Sequence, residues 1–169
     1  MDSSNGSADI LAKHLKASGV AVGWTDVAAY GYEVGQYDAP ALGADGPPLA
    51  FVYDRSASHS RRQLGMRLEG CRHYADRMGW VVVGGWFDLG EHAMSIQRPQ
   101  LDALITTMRA QADECEVLCL VHTWERLTAN PSHRLLLQQR ITAAGGQTVT
   151  TFDAPGRTAA RIAATRRNP

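Results

Sequence analysis

Short apolar runs alternate with helix-period stripes along the second two-thirds of the chain. Residues 49–54, "LAFVYD", are a run of the kind a buried strand shows. Ser60 followed by Gln63 fits a capping box, and Leu64, Leu68, Cys71, Ala75 and Met78 then recur at helical spacing until Gly79. "WVVVGGWFD" (80–88) is rich in β-branched and aromatic residues and predicts a second buried strand. Pro99 suits the first turn of a helix whose stripe is Leu101, Leu104, Ile105, Met108 and Ala112. "EVLCLV" (116–121) predicts a third strand. Asn130 before Pro131 opens a helix with Leu137, Ile141 and Ala144 inward and Gly145-Gly146 at its end, and "QTVTTFD" (147–153) predicts a fourth strand. Alternation of this kind implies an α/β domain, a mainly parallel sheet of four to five strands with helices on both faces.

The first third lacks such order. After a polar start, Ile10, Leu11 and Leu15 suggest a short amphipathic helix stopped near Gly19, and Tyr30, Tyr32 and Tyr37 follow among glycines with no clean period. "APALGADGPP" (39–48) has linker composition. The expected division is an arm and linker over 1–48, one domain over 49–153, and a short basic tail over 154–169.

The chain has 169 residues, room for one ordinary domain with extensions. Apolar residues make up 44% and charged residues 20%, which is ordinary globular usage. No apolar run approaches the roughly 20 residues of a membrane span, and no secretory pattern opens the sequence. The expectation is a cytoplasmic protein with no membrane partner. Lys plus Arg equals Asp plus Glu at 17 each, so nucleic-acid binding by bulk charge alone is not expected. Cys71, Cys115 and Cys119 form neither zinc-type pairs nor a disulfide framework and read as core residues. His59 and His122 have no metal-ligand spacing, and neither a metal nor another cofactor is expected.

Ligands of open α/β sheets gather beyond the carboxyl ends of the strands. That rule selects "RSASHS" after residue 54, "LGEHAMSIQR" after 88, "HTWERLTAN" after 121 and "APGR" after 153. Three of these segments carry an arginine that suits an anion: Arg55, Arg98 and Arg126. Taken singly each could instead pair with a carboxylate such as Glu125 or Asp88. The arginines of the 60–78 segment, Arg61, Arg62, Arg67, Arg72 and Arg77, read as a solvated helix face that could also track DNA.

Five pieces in register, Tyr53 to Ala57, "CRHYADRMGW" (71–80), "FDLG" (87–90), "RPQL" (98–101) and "WERLTAN" (124–130), resemble the catalytic domain of the serine recombinases, the resolvase and invertase family. The resemblance spans roughly 49–153 and implies a resolvase-like three-layer fold. In that family a serine attacks a DNA phosphate and arginines stabilise the charge that develops, without a metal. It implies that Arg55, Arg98 and Arg126 are site arginines. The remaining positions depart: Ala57 stands where the nucleophile is expected, Glu125 replaces an aspartate, and Ala129 replaces another arginine.

Alanine has no oxygen, so covalent chemistry at position 57 is impossible, and loss of a nucleophile costs on the order of a millionfold in an enzyme of comparable design. Ser56 and Ser58 flank it as substitute nucleophiles, although in an extended chain both point away from the side of position 57. Three functions follow. The first is a catalytically impaired module that binds DNA backbone, itself or an intact recombinase. The second is a residual strand-cleaving enzyme using Ser56 or Ser58. The third is a crevice reused for a small anionic ligand. "GRTAARIAATRR" (156–167) could begin a helix but is too short to include a reader of the major groove.

Overall fold

The computed structural model describes residues 46–57 and 60–166. The amphipathic segment near residues 10–15, the tyrosine-rich arm, Ser58 and His59 lie outside the described residues. Four strands, β1 (Leu49–Ser56), β2 (Val81–Leu89), β3 (Val117–Val121) and β4 (Gly146–Thr150), form one sheet in the order β2-β1-β3-β4. Every pairing is parallel, as the strand–helix alternation predicts. Among the described residues six helices accompany them: α1 (Arg61–Met78), α2 (Glu91–Met94), α3 (Pro99–Gln111), α4 (Trp124–Leu127), α5 (Pro131–Ala143) and α6 (Pro155–Arg166).

Two apolar clusters divide the helices between the sheet faces, giving three layers. On one face Leu49, Phe51 and Tyr53 of β1 pack with Leu101, Leu104, Ile105 and Met108 of α3 and Leu137 and Ile141 of α5. On the other, Ala50 and Val52 pack with Leu64, Leu68, Cys71 and Ala75 of α1 and Ile162 of α6. The strand period of two accounts for this split within a single run of buried residues. Both faces of β1 are covered, so its apolar pattern is continuous rather than alternating.

The helix ends follow their local chemistry. Ser60 Oγ accepts from the Gln63 amide at 3.4 Å, and Asn130 Oδ1 accepts from the amides of Ser132 and His133 at 2.9 and 3.3 Å. Gly79 ends α1 at φ 70°, a left-handed conformation that glycine adopts without steric cost. All three cysteines are free and buried, and burial pushes the Cys119 thiol up to about 12.

Several boundaries and elements differ from the sequence expectation. Trp80 precedes β2 and packs edge-on against Tyr74, with ring centroids 5.7 Å apart. β4 stops at Thr150, where Asp153 Oδ2 accepts the Thr150 amide at 3.0 Å and turns the chain. Within the segment expected as a short basic tail, the stretch that could begin a helix forms α6, whose Thr158 and Ile162 are buried. Tyr74 Oη ties that helix to α1 through the Asp153 carbonyl at 2.9 Å and Thr158 Oγ1 at 3.1 Å. The four-residue helices α2 and α4 are too short to show a period in the sequence.

Candidate anion site at the strand ends

Arg55 leaves the carboxyl end of β1 on the face of Phe51 and Tyr53. Its Nε donates to the Glu125 carbonyl at 3.0 Å and its Nη1 to the Ala93 carbonyl at 3.0 Å. Arg98, at the cap of α3, is 6% exposed, and it donates from Nε to the Ser95 carbonyl at 3.0 Å and from Nη1 to the Leu127 carbonyl. Arg126 donates from Nη1 to the Arg55 carbonyl at 3.2 Å. Backbone carbonyls of β1, α2, α4 and the segment after α2 thus hold the three guanidinium groups that the sequence singled out.

Carbonyl oxygens orient a guanidinium without neutralising it. Among the described residues no carboxylate lies within ion-pair distance of Arg55, Arg98 or Arg126. The mutual repulsion is visible in Arg55, whose pKa is lowered by burial and then by the charges of Arg98 and Arg126. An arginine has five N–H donors in a planar fork, so each of the three retains donors beyond those used on carbonyls. The arrangement is suited to an oxyanion with several acceptor oxygens.

The two carboxylates considered as partners do other work or stand aside. Asp88 is buried at the end of β2 and accepts from Tyr53 Oη at 2.9 Å and from the amides of Gln100 and Leu101 at 3.0 and 3.1 Å. It therefore caps α3 from a neighbouring strand, where Arg98 provides no side-chain cap. Glu125 is exposed and engages Arg55 through its backbone carbonyl, not its carboxylate.

Ala57 follows β1 at once and is exposed. Ser56 is the last residue of β1, 6% exposed, and follows Asp54 in the alternation, on the face away from Arg55. Its carbonyl accepts the Gly90 amide at 2.9 Å, tying the ends of β1 and β2 together. Ala129 is exposed beside the start of α5.

Asp54 and Arg67 were not singled out as a pair from the sequence, yet they form a two-pronged ion pair behind the arginine crevice. Arg67 thus turns inward and does not belong to the solvated face of α1. Arg126 and His122 act electrostatically on the same Asp54 carboxylate. The His122 ring lies edge-on to Phe152, and burial lowers its pKa against the raising pull of Asp54. Among the described residues no group of three or more His, Cys, Asp or Glu side chains is placed to hold a metal ion, and no helix is long and apolar enough to cross a membrane.

No protein-family model matches the chain, and no curated protein matches it. Solved structures do. The C-terminal catalytic domain of ISC1926 TnpA, an IS607-like serine recombinase, superposes with a TM-score of 0.52 at 19% identity, over 69% of this chain and 79% of that one. The N-terminal catalytic domain of TP901-1 integrase gives 0.51 at 22% identity, over 61% and 76%. A resolvase family site-specific recombinase from Streptococcus pneumoniae gives 0.52 at 18% identity, over 71% and 89%. The fold is that of serine recombinase catalytic domains.

Proposed function

We propose that this chain is a recombinase-like domain that binds a phosphate of a DNA backbone in the Arg55, Arg98 and Arg126 crevice and has lost the covalent step of strand exchange. The observation that carries this reading is the convergence of three guanidinium groups, oriented by backbone carbonyls and lacking carboxylate partners among the described residues. A phosphodiester carries the charge and the multiple acceptor oxygens that such a cluster matches. Ala57 removes the nucleophile while leaving the three arginines in place. The module acts by association, with a second copy of itself or with an intact recombinase. The exposed apolar side chains of Met94 and Ile96, 70% and 78% accessible beside the crevice, favour such contacts.

Retention of duplex DNA by the purified protein, measured before and after SDS, tests the reading. Retention that disappears in SDS is expected, and Arg126→Glu is expected to weaken it at least tenfold. Retention that survives SDS would instead establish a residual strand-cleaving enzyme, and loss of the adduct in Ser56→Ala or Ser58→Ala would identify its nucleophile. Absence of retention combined with thermal stabilisation by nucleotides or phosphorylated metabolites would assign the crevice to a small anion.

A further inference from the structure

Arg134 has an arrangement unlike that of a structural arginine. It lies in the first turns of α5, and side chains on a helix lean back toward its N-terminus. There its guanidinium carbon sits 5.3 Å from the centroid of the Trp124 ring. Its Nε is buried, and no hydrogen-bond acceptor or carboxylate meets the group among the described residues. On the same helix Arg140 shows the usual alternative, pairing with Asp102 at 2.6 Å.

A guanidinium held over an indole face is attracted by the ring's quadrupole, and that contact consumes none of its N–H donors. The stack also fixes the side chain in advance, which lowers the entropy cost of meeting a ligand. Trp124 immediately precedes Glu125, whose carbonyl accepts Arg55 Nε at 3.0 Å, so Arg134 packs against the same short helix that shapes the crevice. Thr128, Ala129 and Asn130 connect α4 to α5 and place no charge of either sign in between.

We propose that Arg134, held against Trp124, is a further phosphate contact that takes a second phosphate of the nucleic-acid backbone seated at Arg55, Arg98 and Arg126. This rests on the backbone-binding reading above. The partner is therefore an extended phosphodiester chain rather than an isolated phosphate group. A guanidinium binds a phosphate through two parallel N–H donors. Its contribution is read in the salt dependence of binding, because each neutralised phosphate releases condensed counterions.

The experiment measures duplex oligonucleotide affinity against salt concentration for the full chain, Arg134→Met, Arg134→Lys and Arg126→Glu. Arg134→Met is expected to bind roughly 5- to 100-fold more weakly and to lower the slope of log K against log salt by about 1. Arg134→Lys is expected to keep the slope and lose part of the affinity, because it retains the charge without the fork. A slope in Arg134→Met equal to that of the unaltered chain overturns the proposal, whether or not the affinity falls. If Arg126→Glu also binds undiminished, the crevice reading fails with it; if only Arg126→Glu loses binding, the crevice stands and Arg134 is a packing residue.

Discussion

Arg67 of α1 grips the Asp54 carboxylate of β1 with two donors, Nε to Oδ2 at 2.6 Å and Nη2 to Oδ1 at 3.1 Å. Asp54 is 1% exposed. The pair joins the last turns of the strand to the helix that follows it, so it fixes both sides of the connection containing Ala57. Removing one partner of such a pair strands the other charge, which costs about 3–5 kcal/mol. Arg67→Met is therefore expected to be among the most destabilising single changes in the domain.

The penalty depends on pH in a direction set by Asp54. Burial raises its pKa above 3.8, against the opposing pull of Arg67. A carboxyl with a raised pKa binds its proton more tightly folded than unfolded, so stability at this site increases as pH falls through the folded value and levels off below the unfolded one. In Arg67→Met, without the compensating cation, protonation occurs at still higher pH. The stability deficit of the variant, read from urea midpoints, is expected to be largest at pH 7 and smaller at pH 5. A deficit independent of pH would mean that Arg67 contributes packing alone.

Two glycines in left-handed backbone separate conformational strain from steric clash. Gly79 has φ 70° with nothing within 4 Å of an added Cβ, while at Gly145, φ 88°, that atom would lie 2.7 Å from the Cβ of Ala112. Gly79→Ala is expected to cost about 1–2 kcal/mol from backbone alone. Gly145→Ala adds overpacking, about 1–3 kcal/mol more. Thermal unfolding of the two variants side by side checks the order, and equal losses would show that Ala112, just past α3, yields to the added methyl.

Most of the architecture is legible in the sequence because four apolar runs and three helical stripes keep clean periods. Ser60, Asn130, Pro99 and Gly79 mark helix ends by local chemistry, and the structure uses each of them there. The short helices α2 and α4 are different: their positions are set by distant donors, Arg55 on the Ala93 and Glu125 carbonyls, and no four-residue window encodes that. The strand-end rule brings out Arg55, Arg98 and Arg126. It misses Arg67 and Arg134, because an arginine on a helical face reads as solvated until the fold supplies Asp54 or Trp124 as a neighbour.

Arg98 and Arg126 are expected to separate folding from binding. Arg98 is buried and satisfies the Ser95 and Leu127 carbonyls, so Arg98→Met leaves acceptors without donors at a cost of about 2–4 kcal/mol. Arg126 makes a single 3.2 Å bond to the Arg55 carbonyl, and Arg126→Gln is expected to change stability by less than about 1 kcal/mol. In DNA binding the order reverses in what it reveals. Arg126→Gln should lose roughly tenfold or more in affinity with its unfolding midpoint unchanged, whereas Arg98→Met should lose both together. Unchanged affinity in Arg126→Gln would remove it from the anion site.

Introducing a hydroxyl at position 57 tests the proposed reading of the crevice. β1 sends Leu49, Phe51 and Tyr53 to one face, with Arg55 next in that phase, and position 57 follows one step beyond the strand. Ala57→Ser should place a hydroxyl on the arginine side, where Ser56 in the opposite phase is not. A nucleophile alone is not a complete site. On the same reading Glu125 stands where an aspartate is expected, one methylene too long, and a misplacement of about 1 Å costs around a hundredfold. Ala57→Ser is therefore expected to give a trace of SDS-resistant DNA adduct over hours, and Ala57→Ser with Glu125→Asp a clearly faster one. The adduct should persist when Ser58→Ala is added to either. Its loss with Ser58→Ala would place the reactive hydroxyl at 58, and absence of any adduct in both variants would mean that the crevice does not hold a DNA phosphate within reach of residue 57.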